Sequence, residues 1–195
     1  MIRDKNINYK YQSLYFPAVA FDKVDDGTSS QDAGGGDDNF EEVATTGFMA
    51  WQFAGGDDQV HVSMTTPTNV DWDNNVFYRA IWAAASGGGS VETFAFSVSE
   101  VDFGTAPATS APTAFASVSD TPASINVPLA TPWAKADSST TDGITGTKDM
   151  LRIFVDCTTD DTSSNDPRLI GLELKYLPKL TPSPQTNDQA DPTDA

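Results

Sequence analysis

The residues of this 195-residue chain that could do chemistry are few and scattered. Histidine is the commonest general base, and the chain has one, His61, inside the alternating run Val60-His61-Val62-Ser63-Met64. That alternation predicts His61 on the outward face of a strand, beside Gln59 and Ser63, as a solvent-facing residue. A serine nucleophile on a strained turn would carry a Gly-x-Ser-x-Gly elbow, and none is present. No phosphate-cradling loop or dinucleotide fingerprint occurs either. Carboxylates are the remaining reactive groups. Asp156, Asp160, Asp161 and Asp166 crowd one segment with Asn165, and Asp71, Asp73 and Asn74 crowd another. Oxygen ligands at such short spacing would suit Ca²⁺, which tolerates irregular geometry. Neither segment has the EF-hand arrangement of spaced ligands with a central Gly and a terminal Glu, so both read first as solvated turns. No other cofactor is expected. Glycoside cleavage needs two acids facing across a groove. Glu92 and Glu100 lie far apart along one run and do not meet that need. Four tryptophans could stack on sugars. Trp51 and Trp82 sit in strongly apolar runs and read as core, while Trp72 lies in a loop and is the candidate surface contact.

The elements that must position these residues are strands. About eight short apolar-alternating runs are separated by Gly, Ser, Thr, Asp and Pro, with no long helical period between them. The clearest are Val76 to Trp82, Val91 to Val98, Leu151 to Val155 and Leu169 to Tyr176. The expectation is an all-β chain: a two-sheet antiparallel β-sandwich of jelly-roll type with extended N- and C-terminal arms. Trp51, Trp82, Phe94, Phe96, Ile153, Val155, Ile170 and Leu172 are expected to supply much of the core. Gly87-Gly88-Gly89 reads as a hairpin-like turn between two central strands. Ile125, Val127 and Leu129 alternate, which predicts another strand, and a short one is expected at Phe115 to Val118. The sandwich should span residues 15–177. Residues 1–14 form an arm in which Ile7, Tyr9 and Tyr11 alternate as a strand could, and 178–195 form a Pro-containing tail with no apolar face.

Charge narrows the partners. The net charge is -17, and 23 of the 28 acidic residues are Asp. A phosphate backbone would be repelled, so no direct nucleic-acid contact is expected. Asp favours loops and caps, which explains part of the bias. The remainder suits a salty, halophilic or marine setting. No apolar run reaches the ~20 residues of a membrane helix, and Met1-Ile2-Arg3-Asp4-Lys5 lacks the apolar core of a signal peptide. The expectation is a soluble protein made in the cytoplasm and free of membrane. One cysteine, Cys157, excludes an internal disulfide framework and reads as a small buried hydrophobe.

The order of the runs carries a resemblance. Phe16-Pro17-Ala18-Val19-Ala20-Phe21, Met49-Ala50-Trp51-Gln52-Phe53, Thr66-Pro67 with Asp71-Trp72-Asp73, Val76 to Ala84 and Val91 to Val98 follow one another. They end in Leu151 to Asp156, an acidic loop, and Asp166-Pro167-Arg168-Leu169-Ile170-Gly171-Leu172-Glu173-Leu174-Lys175-Tyr176. This succession over residues 15–177 resembles a group of tailed-virus virion proteins. The chain departs from that group at Asn165-Asp166-Pro167, where a Gly-Asp pair is usual, and in the Ala/Pro-rich segment 104–124. The resemblance implies a small jelly-roll virion component, either head decoration, head fibre or tail appendage, and often a homotrimer. It implies a non-enzymatic capsid decoration subunit, made in the host cytoplasm and residing in the virion. Its partners would be other copies of itself and the major capsid protein or other virion proteins. The competing reading is a tail-appendage or receptor- or carbohydrate-binding β-sandwich that holds a host glycan.

Overall fold

The computed structural model describes residues 11–23, 40–43, 46–53, 59–70, 72, 76–85, 89–106, 116–122, 124–135, 146–158 and 167–178. The expected 1–14 arm lies outside these residues up to 10, and the expected tail lies outside them from 179 on. Twelve strands and one 3-10 turn occur among the described residues, with no α-helix. In order they are β1 (Gln12–Pro17), the turn Ala18–Ala20, β2 (Asp22–Lys23), β3 (Phe40–Glu42), β4 (Met49–Gln52), β5 (Gln59–Thr65) and β6 (Phe77–Ala84). There follow β7 (Glu92–Val101), β8 (Ala116–Asp120), β9 (Leu129–Ala130), β10 (Ala134–Lys135), β11 (Met150–Cys157) and β12 (Pro167–Tyr176). β1 begins at Gln12 and pairs with β12 from Gln12↔Tyr176 to Pro17↔Gly171, so the sandwich starts before residue 15.

Two antiparallel sheets pack face to face as a β-sandwich. The larger has seven strands: β6 and β12 pair at its centre, β9 and β10 share the far edge of β6, and β1 and β4 share the far edge of β12, with β3 outside β4. The smaller runs β2-β5-β11-β7-β8. Alternation explains the core. Tyr78, Ala80 and Trp82 on β6, Phe94, Phe96 and Val98 on β7, Leu151, Ile153 and Val155 on β11, and Leu172 and Leu174 on β12 all point between the sheets and are buried. Trp82 and Phe94 meet across the layer with ring centroids 5.4 Å apart, and Tyr78 stacks on Phe96 at 5.8 Å. Trp51 is only partly buried at the core margin, where its indole N–H donates to the Ala18 carbonyl at 3.0 Å.

Ile170 is buried as expected, but in a cluster separate from the main one. A bulge between Leu169 and Gly171 shifts the β12–β6 register by one residue. Ile170 therefore joins a second cluster with Val43, Ala50 and Ala83, apart from the main core. The next position must be Gly: a Cβ on Gly171 would stand 2.6 Å from the Phe16 carbonyl oxygen and 2.6 Å from the Tyr15 hydroxyl.

Two local expectations are corrected. β6 belongs to the larger sheet and β7 to the smaller, so these two strands do not form a hairpin across Gly87-Gly88-Gly89. β4 and β5 likewise lie in different sheets, as do β11 and β12. Glycine and aspartate serve connections within and between sheets alike, and strand alternation is the same in both. The run Ile125-Val127-Leu129 does not form one strand. Asn126 takes a left-handed φ of 56° and Pro128 has no N–H to give a ladder, so only Leu129–Ala130 forms a strand, and Ile125 makes just an isolated bridge to Ala84. Ile125 and Val127 are exposed. β8 begins at Ala116, and Phe115 lies outside the described residues.

Candidate functional site

The outer face of the larger sheet is a lattice of rings and cations. Lys175 and Glu173 on β12 alternate with the inward Leu172, Leu174 and Tyr176, and they stand opposite Phe77 and Arg79 on β6. The Arg79 guanidinium lies 4.4 Å over the Trp133 ring and pairs with Glu173, whose carboxylate accepts its Nε–H at 2.7 Å. Lys175 Nζ sits 4.7 Å from the Tyr11 ring and 5.1 Å from Trp133. Tyr11 meets the edge of Phe77 at 5.8 Å. These charges are held by one another and by aromatic faces. Next to them, where β1 and β4 meet end to end along β12, an apolar notch is lined by Tyr15, Pro17, Val19, Phe48, Met49 and Ile170. Val19 is 71% exposed, and Tyr11, Tyr15, Phe48 and Met49 are exposed with it.

The outer face of the smaller sheet carries a groove instead. Its volume is about 340 Å³, and it is lined by His61, Ser63, Val101, Asp102, Phe103, Gly104, Thr105, Met150 and Arg152. His61 and Ser63 lie two residues apart on β5, and Arg152 is the cross-strand partner of Ser63 on β11. The three share the outward face because Val60, Val62, Leu151 and Ile153 take the inward one. The far wall is the turn after β7. It is fixed by the Thr105 N–H to the Asp102 carbonyl at 3.1 Å, by the Phe103 N–H to the Asp149 carboxylate at 2.8 Å, and by Lys148 to Asp102 at 2.6 Å. Gly104 has φ 82°, a left-handed bend that presents Phe103 at the tip, 66% exposed.

His61 is half-buried, its ring tilted against the buried Phe154 at 5.7 Å. Burial lowers its pKa below 6.5, the nearby Arg152 charge lowers it further, and Asp22 on β2 partly offsets this. The imidazole is therefore neutral near pH 7, and the open solvent-facing position expected from alternation is in fact a groove wall. Burial also lowers the Arg152 pKa from its ordinary value, and the guanidinium remains a cation.

The other candidate residues fall elsewhere. Asp156 lies one residue before the end of β11 and accepts a long hydrogen bond from Gln59 Nε2 at 3.4 Å. Asp160, Asp161 and Asp166 lie outside the described residues, as do Asp71, Asp73 and Asn74. Among the described residues no group of three His, Cys, Asp or Glu side chains is placed to hold a metal. Trp72 is half-buried; its indole N–H donates to the Pro67 carbonyl at 3.3 Å, and Gly146 packs so closely that a Cβ there would overlap the ring. Glu92 is fully buried, with the Cys157 thiol 3.7 Å from its carboxylate, whereas Glu100 accepts the Gly146 N–H at 2.7 Å near the opposite end of β7. No groove joins Glu92 and Glu100 among the described residues. Phe103 and Arg152 were not singled out from sequence. The only signal for Phe103 was a large ring in the polar stretch Asp102-Phe103-Gly104-Thr105.

No protein-family model and no curated protein matches the sequence. Among solved structures, the chain is similar to the CBM36-1 domain of a multidomain xylanase from the hindgut metagenome of Trinervitermes trinervoides, at 8% identity and a TM-score of 0.47, over 84% of this chain and 96% of that one. It is similar to an isomalto-dextranase of Arthrobacter globiformis at 13% identity and a TM-score of 0.44, over 83% of this chain but 23% of that enzyme. The CBM22-1 xylan-binding domain of Paenibacillus barcinonensis Xyn10C gives 14% identity and a TM-score of 0.32, over 86% and 87% of the two chains.

Proposed function

We propose that this chain is a non-catalytic binding module that takes a carbohydrate in the groove on its smaller sheet. One observation carries the reading: an exposed aromatic ring, Phe103, is held on a hydrogen-bonded turn above a polar floor of His61, Ser63 and Arg152. A pyranose has one apolar face and a rim of hydroxyls. It needs a ring to lie against and fixed polar groups at its edge. The groove supplies both, and its volume lies within the ~300–1,000 Å³ span of small-molecule sites. Glycan-array screening followed by calorimetry tests the reading. A defined set of glycans should bind, and Phe103→Ala should weaken the best of them about tenfold through the lost ring contact. Absence of binding to any glycan at millimolar concentration would overturn it.

A second reading is favoured by the larger sheet. The exposed side chains of Tyr15, Val19, Phe48 and Met49 line one notch on it, and exposed apolar surface of that kind marks a protein contact. With the succession of runs that resembles tailed-virus virion proteins, this supports a structural subunit of a virus particle, seated on a capsid or tail protein or on sister copies. Mass spectrometry of purified particles tests it. Hundreds of copies per particle would support a capsid decoration role, and a few to tens a tail appendage. Absence from particles would overturn the virion role.

A further inference from the structure

The groove on the smaller sheet has a polar end and an apolar end, and the ladder register sets which is which. His61 and Ser63 on β5 stand opposite Phe154 and Arg152 on β11. Arg152 packs over the Phe154 ring at 4.9 Å, so this end is a layer of polar groups on a buried ring. Two residues back along β11, Met150 stands beside Val101, the last residue of β7. Both face outward, because Leu151, Ile153, Phe96 and Val98 take the inward side. Phe103 follows two residues after Val101. Its N–H donates to the carboxylate of Asp149, the residue before Met150, at 2.8 Å. That bond ties the turn to the end of the groove where Val101 and Met150 lie. The polar groups of the turn are engaged within it: the Asp102 carboxylate holds Lys148, and the Asp102 carbonyl accepts the Thr105 N–H. Thr105 itself is exposed. Val101, Phe103 and Met150 therefore give this end of the groove a surface of carbon.

We infer that the ligand is a pyranose bearing a methyl group, a 6-deoxyhexose or an N-acetylhexosamine, with that methyl against Val101, Met150 and Phe103. This inference rests on the carbohydrate reading above and adds the sugar's substituent to it. A common hexose carries a hydroxymethyl group on its ring. Placed at the apolar end, that hydroxyl would give up water and meet carbon, and a hydroxyl buried without a partner is costly. A methyl in the same place gives up no hydrogen bond and gains apolar contact. The hydroxyls on the other side of the sugar still face Ser63 and His61. One such group in an apolar site changes affinity by about tenfold or more.

The test is a calorimetric titration of the full chain with matched pairs of methyl glycosides: 6-deoxygalactoside with galactoside, in both hands, and N-acetylglucosaminide with glucoside. In at least one pair the methyl-bearing sugar should bind about tenfold tighter than its parent. The pair that shows the preference tells whether the methyl belongs to the sugar ring or to an acetamide. Val101→Thr replaces one methyl of the wall by a hydroxyl at nearly constant shape, and Met150→Gln does the same to the neighbouring side chain with an amide. Each should bring that pair to within about threefold, with circular dichroism to check folding. Both positions are partly exposed, and two separate variants keep the test decisive should one of them fail to fold. Ser63→Ala, at the polar end, should weaken both sugars of the pair and leave their ratio unchanged. Equal affinity within every pair would overturn the inference and leave the carbohydrate reading standing. A preference that survives both Val101→Thr and Met150→Gln would also overturn it, by placing the methyl elsewhere. Failure of every sugar would defeat the underlying reading itself.

Discussion

The two outer faces of the sandwich are built from the same alternation, yet they spend their polar groups differently. On the larger sheet three cations have local partners: Arg79 has Glu173 and Trp133, Lys175 has Tyr11 and Trp133, and Arg168 has Glu41. A small ligand there would have to displace these contacts. What remains open is an apolar notch of about 330 Å³ around Val19, Phe48 and Met49. On the smaller sheet a turn rises beside the strands and walls a groove whose floor is polar, with His61, Ser63 and Arg152. An apolar notch beside paired charges suits another protein surface, whereas a groove that sets an exposed ring over polar side chains suits a small polar ligand. The turn 102–105, with its anchors Asp149 and Lys148, builds that groove's wall.

The largest change that bears on this contrast strikes both faces at once. Trp82 is fully buried between the sheets, and Trp82→Ala should cost about 3–5 kcal/mol, with the melting temperature and any ligand binding lost together. A loss below about 1 kcal/mol in chemical denaturation would mean that the two faces do not share this core. Gly171→Ala should act on one face only. Its Cβ would collide with the Phe16 backbone where β1 crosses β12, and about 1–3 kcal/mol of overpacking should loosen β1 and the notch. Groove binding on the smaller sheet should persist, and loss of both would show that the faces are coupled.

That difference between faces was only partly legible in the sequence. The runs at Gln59–Thr65, Glu92–Val101, Met150–Cys157 and Pro167–Tyr176 announced strands because apolar side chains recur at every second position. The burial of Trp82, Phe94, Phe96, Ile153, Val155 and Leu172 followed from the same period. Period alone did not say which consecutive strands pair, so the β6–β7 connection read as a hairpin although the two strands lie in different sheets. Nor did it locate the bulge that turns Ile170 away from the main core, since a bulge inserts one residue without changing composition. The groove was hidden for another reason. His61, Phe103 and Arg152 come from β5, a turn and β11, and only the ladder register brings them to one place.

Smaller effects sharpen the contrast. Lys175→Gln removes the cation between Tyr11 and Trp133, and it should cost about 0.5–1 kcal/mol of stability with no change in groove affinity. Any weakening of a sugar ligand by this change would place the site on the wrong sheet. The smallest effect belongs to His61. Its pKa is lowered in the fold by burial and by Arg152, so the unfolded chain takes up the proton first as pH falls below 6.5. Stability should therefore decline through that range as pH is lowered, and His61→Gln should flatten that part of the melting-temperature profile. An unchanged profile would mean that the half-buried ring titrates as in the unfolded chain.

The most direct test of the central claim is amide chemical-shift mapping of the ¹⁵N-labelled chain during titration with the glycan that binds best in the array. Binding in the groove predicts concentration-dependent shifts at His61, Ser63, the turn Val101 to Thr105, and Met150 to Arg152, with the amides of Tyr11, Tyr15, Phe77 and Lys175 unmoved. Shifts confined to the larger sheet, or none at all, would contradict it.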